Sequence, residues 1–162
     1  MNSNYIVMLA LAGCLCAGCQ SKSAKAETNP SQTETVSTEE QDIPYKIAEG
    51  YFQNNQVKQL PSAPITTNKD FDSLFGMATV MGENGAPTAI DFTKEYVIAV
   101  GKPKTDIATT LIPLSLKRNA DGEIVFKYHT ITGAKQSYSI LPCLIIIVPN
   151  EYKGRVVLQE AE

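Results

Sequence analysis

The run Cys143-Leu144-Ile145-Ile146-Ile147-Val148 constrains the fold of this chain more than any other stretch. It is apolar throughout, rich in β-branched side chains, and closed by Pro149. A short apolar run of this kind reads as a central strand covered on both faces. After it, Pro149-Asn150-Glu151-Tyr152-Lys153-Gly154 turns the chain into a last strand, Arg155-Val156-Val157-Leu158-Gln159.

The other elements follow from local chemistry. Tyr96–Val100 is apolar and β-branched, so it reads as a second buried strand. In Leu111–Lys117, Ile112, Leu114 and Leu116 fall on one face and Pro113, Ser115 and Lys117 on the other, and Pro113 marks an edge position or a bulge. Asn119-Ala120-Asp121-Gly122 is a turn signal. It leads into a strand with Ile124, Phe126 and Tyr128 inward and Glu123, Lys127 and His129 outward, so the two strands form an antiparallel hairpin. Tyr51–Asn54 supplies a further short strand.

One helix signal is clear. Thr67 or Asn68 can cap it, Asp70 and Asp72 suit its positive end, and Phe71, Leu74 and Phe75 make one apolar stripe. Gly76 is placed to end it in a left-handed cap. The expected fold is mostly β (α+β): a small antiparallel β-sandwich or open barrel with one short amphipathic helix.

Ahead of this domain lies a different kind of sequence. From Tyr5 to Ala17 the chain is apolar or small and uncharged. That is shorter than the roughly 20 residues that a membrane-spanning helix needs, and it suits a cleaved leader. Leu11-Ala12-Gly13-Cys14 and Cys16-Ala17-Gly18-Cys19 resemble the box at which a bacterial lipoprotein is cleaved and its new terminal cysteine lipidated. Cleavage before Cys14 would leave Cys16 and Cys19 as extra thiols beside Cys143, so Cys19 is the favoured anchor and Cys14 the alternative. Residues 20–44, rich in Ser, Thr, Gln and Glu, read as a disordered acidic tether. Lys22 and Lys25 stand there against Glu27, Glu34, Glu39, Glu40 and Asp42, a net −3 that equals the charge of the whole chain. Residues 45–162 are then neutral overall, which argues against a nucleic-acid partner. They form a single β-rich domain of a size that one core can serve.

Motifs for chemistry are sparse. His129 is the only histidine, and its alternating position puts it on an outer face. Cys143 opens the most hydrophobic strand, where a thiol behaves as a small apolar group. A nucleophilic pair of these two, and a calcium cluster of Asp70, Asp72 and Asp91, are weaker readings than an ordinary surface histidine and a helix first turn. No catalytic residue, metal or cofactor is expected. Three well-furnished loops are instead candidate binding elements. They are Gly82–Pro87 with Asn84, Lys102–Asp106 with Lys102, Lys104 and Asp106, and Gly133–Ile140 with Lys135, Gln136 and Tyr138.

The string Asp91-Phe92-Thr93-Lys94-Glu95-Tyr96-Val97-Ile98-Ala99-Val100, followed by a Gly/Lys/Pro/Thr loop, resembles the C-terminal domain of the PrcB protease-complex family. Leu141-Pro142 and the aliphatic run after it occupy a similar place to that family's late strand, and the resemblance spans roughly Ile65 to Leu158. It implies a small β-rich domain on an exported bacterial protein, with an envelope protease as partner. The family's Thr-Gly-Gly-Tyr stretch is replaced here by Thr105-Asp106-Ile107-Ala108. Leader, low-complexity tether and small domain together resemble lipoproteins of Bacteroides-type bacteria.

The function expected from the sequence is that of a lipid-anchored envelope protein at the outer membrane, acting as a non-catalytic protein-binding module, as a protease inhibitor or protease-complex subunit. The alternatives are a structural or assembly lipoprotein and a small-ligand or glycan-binding module.

Overall fold

The computed structural model describes residues 40–79 and 85–162. The leader, Cys14, Cys19, tether residues 20–39 and Asn84 lie outside the described residues.

The described chain is mostly β, with one short helix and open sheets. In order it forms β1 (Gln41–Asp42), β2 (Lys46–Ile47), β3 (Tyr51–Gln53), α1 (Asn68–Leu74), β4 (Phe75–Met77), β5 (Glu95–Gly101), β6 (Thr105–Arg118), β7 (Ile124–Ile140), β8 (Cys143–Pro149) and β9 (Val156–Ala161). One sheet has the order β1-β6-β7-β9, a second β2-β8-β5, and β3 pairs with β4. Because β1 already pairs with β6 and Ile43 is buried, the domain begins before residue 45, and the last residues of the expected tether belong to the fold.

Residues on β8 sort by parity into two cores. Leu144, Ile146 and Val148, with Tyr96, Ile98 and Val100 of β5, pack against Leu116, Ile124 and Phe126 of the four-stranded sheet. Ile145 and Ile147, with Val97 and Ala99, pack against Phe71 of α1 and Phe75 of β4. The three-stranded sheet is thus a middle layer with apolar side chains leaving both faces, which is why β8 carries no polar position.

The four long strands are one two-stranded ribbon folded on itself. β5 pairs antiparallel with β8 up to Gly101↔Cys143, the Lys102 N–H donates to the Pro142 carbonyl, and pairing resumes at Thr105↔Ile140 between β6 and β7. Pro103 and Pro142 stand at the fold in the ribbon, where a residue without an N–H interrupts a ladder at little cost. The β6–β7 turn matches its signal: Gly122 has φ +78°, and its N–H donates to the Asn119 carbonyl. β9 returns from the middle sheet and pairs parallel with β7, a pairing open to it because the chain has crossed through β8.

Two local expectations are corrected. Gly76 does not cap α1; Phe75 ends the helix in extended backbone and Gly76 is a strand residue opposite Phe52. The start of α1 is as expected, with Thr67 Oγ1 accepting from the Asp70 N–H at 3.1 Å. On β6 a bulge after Pro113 inserts Leu114 between the pairs Pro113↔Tyr128 and Ser115↔Lys127. The insertion reverses which parity faces the core, so Leu111 and Leu116 are buried while Ile112 and Leu114 are exposed.

Candidate functional site

The stretch expected as a long binding loop, Gly133–Ile140, is strand. β7 runs through it, paired with the first half of β6. Its polar, Gly- and Ser-containing sequence looks like a loop because both faces of this part of the ribbon meet solvent, leaving no apolar alternation to mark it. The pairing is irregular there. Between Thr105↔Ile140 and Ile107↔Lys135 the single residue Asp106 faces the whole of Gln136–Ser139, a wide bulge that pushes Tyr138 outward to 59% exposure.

Several predicted residues gather at this bulge. Lys135 Nζ lies 3.2 Å from Asp106 Oδ2, and Gln136 Nε2 donates to the Tyr138 hydroxyl at 2.9 Å. β9 ends opposite His129, and among the described residues no strand pairs with the edge of β7 from Thr130 onward. Its main-chain groups there are open to an added strand.

Lys102 lies elsewhere. Its ammonium donates to both carboxylate oxygens of Glu160, at 2.6 and 2.7 Å, and stands 5.6 Å from the centre of the Tyr128 ring. Thr130 Oγ1 donates to the same carboxylate. These hydrogen bonds, led by that of Lys102 and followed by that of Thr130, hold Glu160 below the usual carboxylate range. Burial, and next the charge of Glu160, raise the Tyr128 hydroxyl. Lys104 is exposed on the connection between β5 and β6 and joins neither group. The expected loop residues are therefore split between the bulge and the Lys102 side of the ribbon.

Beside Lys102 opens a cleft of about 330 Å³ that sequence reasoning missed. Its walls come from distant segments: Gln53 at the end of β3, Lys58 and Leu60 after it, Gly101 and Lys102 at the end of β5, and Leu158 on β9. Gln53 is 4% exposed; its Nε2 donates to the Val57 carbonyl at 2.8 Å, while its Oε1 has no hydrogen-bond partner among the described residues. Gly101, the small residue closing a buried strand, was the one local signal for this place.

His129 and Cys143 do not converge. His129 alternates with the inward-facing Phe126 and Tyr128, and its Nδ1 lies 3.0 Å from the Ala161 carbonyl oxygen at the end of β9. Cys143 is on the other sheet and packs with the core around α1, where burial pushes its thiol pKa up. Asp70 lies in the first turn of α1, while Asp91 accepts from the Thr93 N–H and hydroxyl in a separate turn. Among the described residues, no three His, Cys, Asp or Glu side chains are grouped as a metal would need. Comparison of the chain with protein-family models, with curated proteins and with solved structures finds no match.

Proposed function

We propose that this chain is a lipid-anchored, non-catalytic binding module of a bacterial envelope that holds a protein partner along the outer half of the β6–β7 ribbon. The observation that carries the reading is the edge of β7 from Thr130 to Ile140, which no described strand pairs and which carries the bulge with Tyr138. An extended segment of a partner would add to this edge by main-chain hydrogen bonds, and Tyr138, Gln136 and Lys135 would select among segments. Tyrosine suits that task because it supplies contact area at low entropy cost. Under the resemblance to the PrcB family the partner is an envelope protease, and the ribbon edge would lie in its cleft as an extended strand. The anchor at Cys19, or at Cys14, would keep this edge at the membrane where such a partner works.

A photo-activated cross-linker tests the reading when placed at Tyr138 and, separately, at Asp121 at the opposite end of the same hairpin. In envelope membranes of the producing cell, the expected result is one defined protein adduct from position 138 and none from position 121. No adduct at 138, or the same adducts at both positions, would overturn it.

A further inference from the structure

The cleft beside Lys102 combines three features that a ligand could use together. Gln53 is almost wholly buried, yet its Oε1 lacks a donor among the described residues, although its amide orientation is set by the bond from Nε2 to Val57. A buried acceptor left without a donor is costly. Gly101 keeps a side chain out of the space between this amide and Leu60: a Cβ there would stand 2.8 Å from Gln53 Oε1 and 2.9 Å from Leu60 Cδ1.

The second feature is charge. Two lysines line the cleft, but Lys102 is neutralised by Glu160 through two short hydrogen bonds. Lys58 is exposed at the rim and pairs with none of the described carboxylates. The third feature is an aliphatic wall of Leu60, Val100 and Leu158. The volume, about 330 Å³, is at the small end for ligand sites.

We propose that this cleft captures the carboxyl-terminal residue of a peptide whose last side chain is aliphatic. The terminal carboxylate pairs with Lys58, the last amide N–H supplies the donor that Gln53 Oε1 lacks, and the side chain lies against Leu60 and Leu158. A bare anion would leave the aliphatic wall and the Gln53 acceptor unused, and an uncharged apolar ligand would leave Lys58 unused. The site is separate from the β7 edge, so its success or failure leaves the ribbon reading to its own cross-linking test.

The probe is acetyl-Ala-Ala-Leu with a free carboxylate, titrated into the isotope-labelled full chain and followed by amide shifts. The expected result is saturable movement of the Gln53 side-chain amide and of the Gly101 main-chain amide. The same peptide with a terminal carboxamide is expected to bind at least tenfold more weakly, as is the free acid to Lys58→Ala, whose exposed side chain the fold does not need. No movement at millimolar peptide, equal binding of acid and carboxamide, or unchanged affinity of Lys58→Ala would overturn the proposal.

Discussion

Phe52 on β3 lies directly across from Gly76 on β4, and its ring occupies the place where a side chain at position 76 would stand. An ideal Cβ on Gly76 falls 2.9 Å from Phe52 Cε2, inside any real contact distance. The aromatic ring covers the glycine and gives this two-residue pairing the apolar contact that glycine alone lacks. It also explains why Gly76 stands in a strand rather than at the end of α1.

Gly76→Ala therefore forces the Phe52 ring aside. Phe52 is 47% exposed, so the ring can swing into solvent, and the expected loss is modest, about 0.5–1 kcal/mol of stability. A double-mutant cycle in urea separates the cause: in a Phe52→Ala background the same substitution is expected to cost almost nothing. An equal cost in both backgrounds would show that the glycine serves the backbone and not the ring.

Two other glycines differ in an instructive way. Gly50 and Gly122 both have φ +78°, a conformation that costs an L-residue about 1–2 kcal/mol. A Cβ on Gly122 would meet nothing within 4 Å among the described residues, whereas one on Gly50 would stand 2.8 Å from Pro87 Cα. Gly122→Ala should lose only the conformational cost. Gly50→Ala should lose that and a further 1 kcal/mol or more, of the order that overpacking brings, because the atom it meets is backbone. Urea midpoints of the two variants give the difference directly, and equal losses would refute the close approach.

The bulge on β6 separates two positions that the sequence pattern alone puts on one face. Leu114 and Leu116 share a parity, yet Leu116 is 2% exposed and Leu114 52%. Leu116→Ala should cost about 2–5 kcal/mol, as emptying a core position does. Leu114→Ala should stay within about 0.5 kcal/mol, as at an ordinary surface site. Comparable losses at both positions would mean the strand runs without the bulge.

That contrast shows what the sequence could and could not reveal. Elements whose residues carry their own local pattern were legible: the capped Phe71–Phe75 stripe, the Asn119–Gly122 turn, and the aliphatic run of β8 with its two covered faces. Pro113 marked an edge position or a bulge, but that a bulge forms there and which residues it turns outward depend on the ladder with β7, a long-range fact. The stretch Thr130–Ser139 was hidden because both its faces meet solvent and a strand without a core face has no period to read. The cleft was invisible for a topological reason. Gln53, Lys58, Gly101 and Leu158 become neighbours only when the ribbon folds at Pro103 and Pro142 and β9 returns beside β7. Leader and anchor cysteines rest on sequence resemblance alone.

The ion pair of Lys102 and Glu160 ties the last strand to the corner of the ribbon, and its loss on acidification has a definite sign. Hydrogen bonds from Lys102 and Thr130 lower the Glu160 pKa below its ordinary value. Its stabilising effect is thus complete above the ordinary glutamate range, about pH 4.3, and is lost as pH falls through the lower folded-state value. Side chains of the pair are 25% and 40% exposed, so solvent screens it and the effect should not exceed about 1 kcal/mol. Glu160→Gln should accordingly unfold at lower urea than the parent at pH 6, and the gap should close as both are taken toward pH 3. Glu40 and Asp91 are also held below their ordinary values and are present in both proteins, so they lower both curves together. A gap that persists unchanged at pH 3 would assign the difference to packing of the side chain and not to its charge.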